Sequence, residues 1–193
     1  VVEKEILHYD IFYALDAAGL LRGLVFQGGT SLRLCRGSNR FSEDLDFAGG
    51  KNFTSQKMDA IKTCLEKHIG ERYGLVVEVK EPKEMAALPD YENVKVDKWQ
   101  VSVETRPLQK DTPQQRIKLE IANIPAYTNE LVPLRLNYDF LLGYGTLLVN
   151  AESLDEILAD KVVAFPTSIK SIRYRDIWDL AWLTQQGAKL TPS

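Results

Sequence analysis

The sequence predicts an α+β (α/β) fold: a mixed β-sheet flanked by helices, with a helical part at the C-terminal end. Three observations point there. Residues 3–18, and again the stretch from Ser153 onward, repeat apolar side chains at helical spacing. Residues 73–149 are mostly β-branched or alternating. The 193-residue chain is 45% hydrophobic and 26% charged, which excludes disorder and supports a sizeable core without disulfides or metals. The expected organisation is a core over residues 1–150 and a helical segment over 151–193 that packs on it.

The elements follow in order. Ile6, Leu7, Ile11, Leu15 and Ala18 recur three and four apart, so 3–18 reads as an amphipathic helix ended by Gly19. Leu24-Val25-Phe26 is a short buried strand stopped by Gly28-Gly29. Thr30 and Ser31 are expected to cap a short helix containing Leu32, Leu34 and Cys35. Asp44-Leu45-Asp46-Phe47 alternates and reads as a strand. Thr54 and Ser55 are expected to cap a second helix through Met58, Ile61, Cys64, Leu65, His68 and Ile69, with Gly70 near its end. Strands are expected at 75–79, 99–103, 117–121 and 147–149, with Pro82, Pro89, Pro107, Pro113, Pro125 and Pro133 in the connections. Ser153 and Glu156 form a capping box for a helix that Pro166 breaks. A last helix begins near Tyr174.

Composition removes several function classes. Two cysteines, Cys35 and Cys64, speak against a disulfide framework and exclude zinc sites built on paired cysteines. His8 and His68 lack metalloprotease spacing. No apolar run approaches the roughly 20 residues needed to span a bilayer, and Glu3, Lys4, Glu5 and Asp10 are at odds with a signal peptide. A reducing, cytoplasmic setting is expected.

The chemistry concentrates in Phe26-Gln27-Gly28-Gly29-Thr30-Ser31-Leu32 and Arg40-Phe41-Ser42-Glu43-Asp44-Leu45-Asp46-Phe47. Glycines after a strand let backbone N–H groups approach a ligand, and a helix beginning at Ser31 favours phosphate. Asp44 and Asp46, two apart on a strand, share one face with Cα atoms roughly 6–7 Å apart. Carboxylates so placed can hold a pair of divalent cations about 4 Å apart, the geometry of phosphoryl and nucleotidyl transfer. Taken singly, a Gly-Gly turn, an Asp-x-Asp pair and a capped helix are each ordinary structural features; their conjunction is uncommon. A P-loop is excluded because no Gly-Lys-Ser/Thr follows, and a dinucleotide fingerprint because the third glycine is absent.

These two segments resemble the opening motif of the AbiEii/AbiGii nucleotidyltransferase toxins, members of the DNA polymerase β-like nucleotidyltransferase superfamily. Ile117-Lys118-Leu119-Glu120-Ile121 is similar to the family's strand with a third acidic residue. The stretch from Glu156 to Ala164, with Lys161, is similar to its Glu…Lys…Ala helix, and Arg173-Tyr174-Arg175-Asp176-Ile177-Trp178-Asp179-Leu180 to its closing motif. The resemblance implies a nucleotidyltransferase-like catalytic core, with the C-terminal helices completing the active site. It implies Mg²⁺ (two ions, with Mn²⁺ as a substitute) on Asp44, Asp46 and Glu120. It implies nucleotide binding by Gly28, Gly29, Thr30, Ser31, Ser42 and Lys161, and catalytic roles for Asp44, Asp46, Glu120, Lys161 and Asp176.

The implied reaction moves a nucleotidyl group from a nucleoside triphosphate to an acceptor hydroxyl. The leading acceptor is RNA, at a tRNA 3′ end, in a toxin–antitoxin or phage-exclusion system with a DNA-binding antitoxin as partner. The alternatives are a small-molecule or protein acceptor, and a non-catalytic nucleotidyltransferase-like binding module. The net charge of −3 speaks against a generally basic nucleic-acid coat. It conceals a sorted distribution, because Arg22, Arg33, Arg36 and Arg40 lie in one acid-free segment and Lys161, Lys170, Arg173 and Arg175 in another.

Overall fold

A computed structural model describes residues 2–82, 94–106, 108, 113–141, 144–167 and 173–190. Its elements run α1 (Val2–Ala17), β1 (Val25–Gln27), α2 (Gly28–Ser31) continued by a π-helical turn (Leu32–Arg36), β2 (Leu45–Ala48), α3 (Ile61–Tyr73), β3 (Val77–Lys80), β4 (Val96–Val103), β5 (Gln115–Ala122), β6 (Glu130–Pro133), β7 (Leu148–Ala151), α4 (Leu154–Thr167) and α5 (Tyr174–Gln185). The seven strands form one mixed sheet in the order β3-β4-β5-β2-β1-β7-β6. The expected α+β class holds.

Strand alternation sorts the sheet into two faces. On one face Leu45 and Phe47, Trp99, Val101 and Val103, and Ile117, Leu119 and Ile121 are buried in the main core with α1 and α3. Phe12 of α1 meets the rings of Phe26 and Phe47 at 4.9 and 5.8 Å, which ties the first helix to the two central strands. Each such aromatic contributes about 1.5–3 kcal/mol by burial. Asp10, fully buried on α1, accepts hydrogen bonds from Tyr144 and Tyr73, so its charge is not orphaned. The intervening residues of the same strands turn to the opposite face. A second apolar cluster forms around Leu32, where Ile157 and Leu158 of α4 meet Leu183 of α5.

Several boundaries differ from expectation. The short helix starts at Gly28 with Gln27 as its N-cap, so Thr30 and Ser31 lie inside the turn and do not cap it. The second helix is split into a 3-10 turn at Ser55–Met58 and α3, Thr54 makes no side-chain cap, and α3 ends at the left-handed Gly74 rather than near Gly70. The capping box is half formed: Glu156 N–H donates to Ser153 Oγ, but the Glu156 carboxylate instead accepts from Tyr127 and Thr128. Pro166 sits in the last turn of α4, which runs one residue past it. Strand β6 was not expected. Pro133 closes it on the sheet's outer edge, where a missing N–H costs no ladder bond. Pro89, Pro107 and Lys170 lie outside the described residues.

Candidate active site

Register builds the site. Gln27 pairs with Asp46, Asp46 with Glu120, and Glu120 with Lys98, so these four residues form one row across β1, β2, β5 and β4. Because Leu45, Phe47, Leu119 and Ile121 face the core, Asp46 and Glu120 face away from it. Asp44 stands just before β2, and its backbone carbonyl accepts a hydrogen bond from the Thr30 hydroxyl, which holds this loop against α2.

The two glycines are required by close approach. Gly28 has φ +75°, and a Cβ there would lie 2.9 Å from Asp46 Oδ2. A Cβ on Gly29 would collide with the Arg40 guanidinium, which Asp179 holds in place, and would lie 3.1 Å from Ser42 Oγ.

A second layer of charge comes from the last two helices. Arg40 grips Asp179 with both arms of its guanidinium, at 2.6 and 2.7 Å. Lys161 of α4 reaches Asp179 at 2.7 Å and Asp176 at 3.2 Å, and Arg173 reaches Asp176 at 2.9 Å. Asp176 and Asp179 are buried, at 5% and 1% exposure, so they belong to an interior network and not to a solvated helix face.

On the sheet side the carboxylates are less neutralised. Burial pushes the Asp46 carboxyl up to about 7, helped by the charges of Glu120 and Asp44 and opposed by Lys161 and Lys98. Glu120 is itself held by Lys98 at 2.7 Å. Among the described residues no three His, Cys, Asp or Glu side chains gather into a metal cage. Mg²⁺ needs no such cage, since it takes one or two carboxylates and completes its shell with water and substrate phosphates. Asp44 and Asp46 fit that demand: Asp46 is a carboxyl whose ionisation is opposed by its surroundings and would be favoured by a cation.

Two adjoining cavities open over the site. One, of about 150 Å³, is lined by Gly28, Gly29, Ser42, Asp44, Asp46 and Lys161, with Arg40, Arg173, Arg175 and Asp176 also on its wall. The other, of about 280 Å³, shares Gly28, Asp46, Lys161, Arg173 and Asp176 and runs on to Gln27, Glu152 and Asp160. The structure thus brings together Gly28, Gly29, Ser42, Asp44, Asp46, Lys161 and Asp176 of the residues singled out in the sequence. Glu120 joins them through strand pairing without lining either cavity. Thr30 and Ser31 are fully buried behind the glycines and line neither.

Sequence reasoning missed Lys98, Glu152 and the reach of Arg40. Lys98 precedes the strand expected from Trp99, and only the β4–β5 register sets it opposite Glu120. Arg40 and Asp179 are 139 residues apart, and no local pattern links them.

Comparison with known proteins identifies the family. The family model of the AbiEii toxin, described as a nucleotidyl transferase of a type IV TA system, matches residues 10–192. The chain belongs to this AbiEii nucleotidyltransferase family. Among solved structures, JHP933 from Helicobacter pylori is similar with a TM-score of 0.60 at 21% identity, over 95% of this chain and 66% of that one. MenT4, a nucleotidyltransferase toxin from Mycobacterium tuberculosis H37Rv, is similar with a TM-score of 0.57 at 20% identity, over 91% of this chain and 61% of that one. The AbiEii-family chain therefore spans about two thirds of the length of these structures, and at such identities they speak for its fold. No curated protein matches the sequence. Among the described residues no helix is long and apolar enough to cross a membrane.

The first basic segment is not a free cationic patch. Arg33 pairs with Glu5, Arg36 with Glu130 and Arg40 with Asp179, so three of its four arginines are engaged with acids.

Proposed function

We propose that this AbiEii-family protein is a metal-dependent nucleotidyltransferase that transfers a nucleotidyl group from a nucleoside triphosphate to the hydroxyl of an RNA, at a tRNA 3′ end, as the toxin of a toxin–antitoxin pair. The observation that carries the reading is Asp46. It is pushed up to about 7 beside Asp44 and Glu120, at the floor of a cleft whose opposite wall holds Lys161, Arg173 and Arg175. Anionic floor and cationic wall suit a ligand that brings phosphates and metal together.

Asp44 and Asp46 would hold magnesium, which when bound neutralises the phosphate oxygens and orients the reacting group. Lys161 has three N–H donors, of which Asp176 and Asp179 engage two, and the third is left for the triphosphate. Arg173 and Arg175 add charge at the rim. Gly28 and Gly29 leave the backbone open to phosphate at the point where side chains would collide with Asp46 and Arg40. The acceptor oxygen attacks the α-phosphorus, the bond to the β-phosphate oxygen breaks, and pyrophosphate leaves. Glu120, paired in register with Asp46, would receive the acceptor's proton once released from Lys98. Support for an antitoxin partner comes from membership in a toxin family of a type IV TA system; the RNA acceptor follows from the motif resemblance. Cytoplasmic placement accords with that system.

The test is incorporation of labelled nucleotide into tRNA with Mg²⁺, by the protein and by Asp46→Ala. Transfer by the parent that disappears in the variant supports the reading, whereas equal transfer by both would remove Asp46 from the chemistry. A second reading, a nucleotide-binding module without turnover, is favoured by the Lys98–Glu120 pair. Nucleotide-dependent thermal stabilisation without transfer to any RNA would decide for it.

A further inference from the structure

The larger cavity has a wall that the transfer reading leaves unused. Gln27 ends β1 beside Asp46, and Glu152 follows β7, the parallel neighbour of β1. Glu152 is 1% exposed, and its backbone is fixed at both ends. Its N–H donates to the Phe26 carbonyl at 3.1 Å, and its carbonyl accepts from Arg36 Nη2 at 2.8 Å. Gln27 Oε1 and Glu152 Oε2 are both buried and, among the described residues, have no hydrogen-bond partner. Two such atoms on one cavity are costly unless a ligand satisfies them. Asp160 of α4 adds a third acceptor-bearing side chain to the same cavity.

The cavity is therefore polarised. Lys161 and Arg173 stand, with Asp46 and Asp176, in the part it shares with the smaller cavity, and Gln27, Glu152 and Asp160 line the remainder. A ligand matching both ends is anionic at one end and carries N–H donors at the other. At about 280 Å³ the space is near the lower end of the ~300–1,000 Å³ range of small-molecule sites.

We infer that Gln27, Glu152 and Asp160 form the base subsite of the nucleoside triphosphate and select a base carrying an exocyclic amino group over uracil. Burial, with Asp160 and Glu156 nearby, pushes the Glu152 carboxyl up to about 9, so near neutral pH it offers one O–H donor and one carbonyl acceptor. That pair matches an amino group beside a ring nitrogen, and Gln27 Oε1 takes the second amino hydrogen. Uracil has no amino hydrogens, and turning either carbonyl to Gln27 Oε1 sets acceptor against acceptor. A base site that hydrogen-bonds its substrate strongly rejects an analogue lacking the donor.

The inference rests on the nucleotidyltransferase reading, and binding separates the two. Affinities for ATP, CTP, GTP, UTP and inorganic tripolyphosphate are measured with Mg²⁺ by calorimetry, in the parent protein, in Glu152→Met and in Asp160→Ala at an exposed position. Expected is UTP weaker than at least one amino-bearing nucleotide by about tenfold or more. In Glu152→Met that gap shrinks to about threefold or less, with tripolyphosphate binding unchanged. Should Glu152→Met fail to fold, Asp160→Ala is expected to narrow the gap as well. A parent that binds all four nucleotides alike, or variants that keep its preference, would overturn the base subsite and leave the transfer reading standing. Absence of binding by every nucleotide and by tripolyphosphate would overturn both.

Discussion

On the helical wall of the cleft, Asp176 and Asp179 are surrounded by Arg40, Lys161 and Arg173, each acid held by two cations. On the sheet wall, Asp46 sits against Glu120 and Asp44, and the nearest fixed cation in its row, Lys98, is turned to Glu120. The same residue type thus does opposite things a few ångströms apart. The helical wall spends its charges on fixing α4 and α5 against Arg40. The sheet wall keeps a carboxyl under-neutralised, which costs stability in the free protein and would be recovered on binding the proposed cation. Sites of this kind trade stability for function.

The comparison is tested most severely by removing one acid from each wall. Asp46→Asn is expected to lower nucleotidyl transfer by about 10³-fold or more, the scale of losing a main electrostatic contact at a reacting centre. It should leave the melting temperature unchanged or raised without metal. Labelled-nucleotide incorporation and thermal melting check the two halves. A variant that melts much earlier would place Asp46 among structural residues. Asp179→Ala is expected to do the reverse. Removing one partner of a buried ion pair leaves Arg40 and Lys161 uncompensated, at a cost of about 3–5 kcal/mol. Urea unfolding measures it, and a loss below about 1 kcal/mol would show that the network is not structural.

The two walls also differed in how far they could be read from sequence. Gly28, Gly29, Asp44 and Asp46 fall within 19 consecutive residues, at the start of α2 and at the start of β2, where glycine freedom and period-2 alternation act locally. That logic placed them on one site. Glu120 was placed by alternation alone, but its partner Lys98 depends on the β4–β5 register, which alternation does not fix. Arg40 and Asp179 are joined only by tertiary packing. Thr30 and Ser31 misled because good cap residues also serve inside a turn. Thr30 binds the Asp44 carbonyl instead, while the glycines before them already open the helix. Strand β6 was hidden by Pro133, which marks a connection everywhere except on an edge. Glu152 had no signature at all, since an acid ahead of a capping serine is common.

Titration distinguishes the walls next, with metal absent. Asp46 has its carboxyl raised from 3.8 to about 7 in the folded state, so the folded protein holds that proton across a window in which the unfolded chain has lost it. Its contribution is complete below about pH 4 and is lost as pH rises through 7, an effect on the order of 2 kcal/mol for a partly exposed group. His8 acts in the other direction. Burial lowers it to about 4, so its contribution is complete above pH 6.5 and is lost as pH falls toward 4. The two slopes oppose each other in the parent protein. Subtracting the melting curve of Asp46→Asn cancels His8 and should expose the Asp46 slope between pH 4 and 7. A flat difference would mean that Asp46 is not strained by its neighbours.

The smallest effect is expected at the one cation in the sheet row. Lys98 and Glu120 are each about one-fifth exposed, so Lys98→Gln should change stability by less than about 1 kcal/mol. Its consequence for the site is larger than its consequence for the fold. Lys98 is one of the two lysines that hold the Asp46 carboxyl down. Without it, and with Glu120 freed, Asp46 should ionise at higher pH, moving the acid limb of the transfer rate up by roughly half a pH unit at low Mg²⁺. The added negative charge should also lower the Mg²⁺ concentration that half-saturates the rate. The two shifts come from a single cause and should appear together. A lower Mg²⁺ requirement with an unmoved acid limb would mean that Glu120 meets the metal without sharing a field with Asp46, and the row across the four strands would then be a matter of register alone.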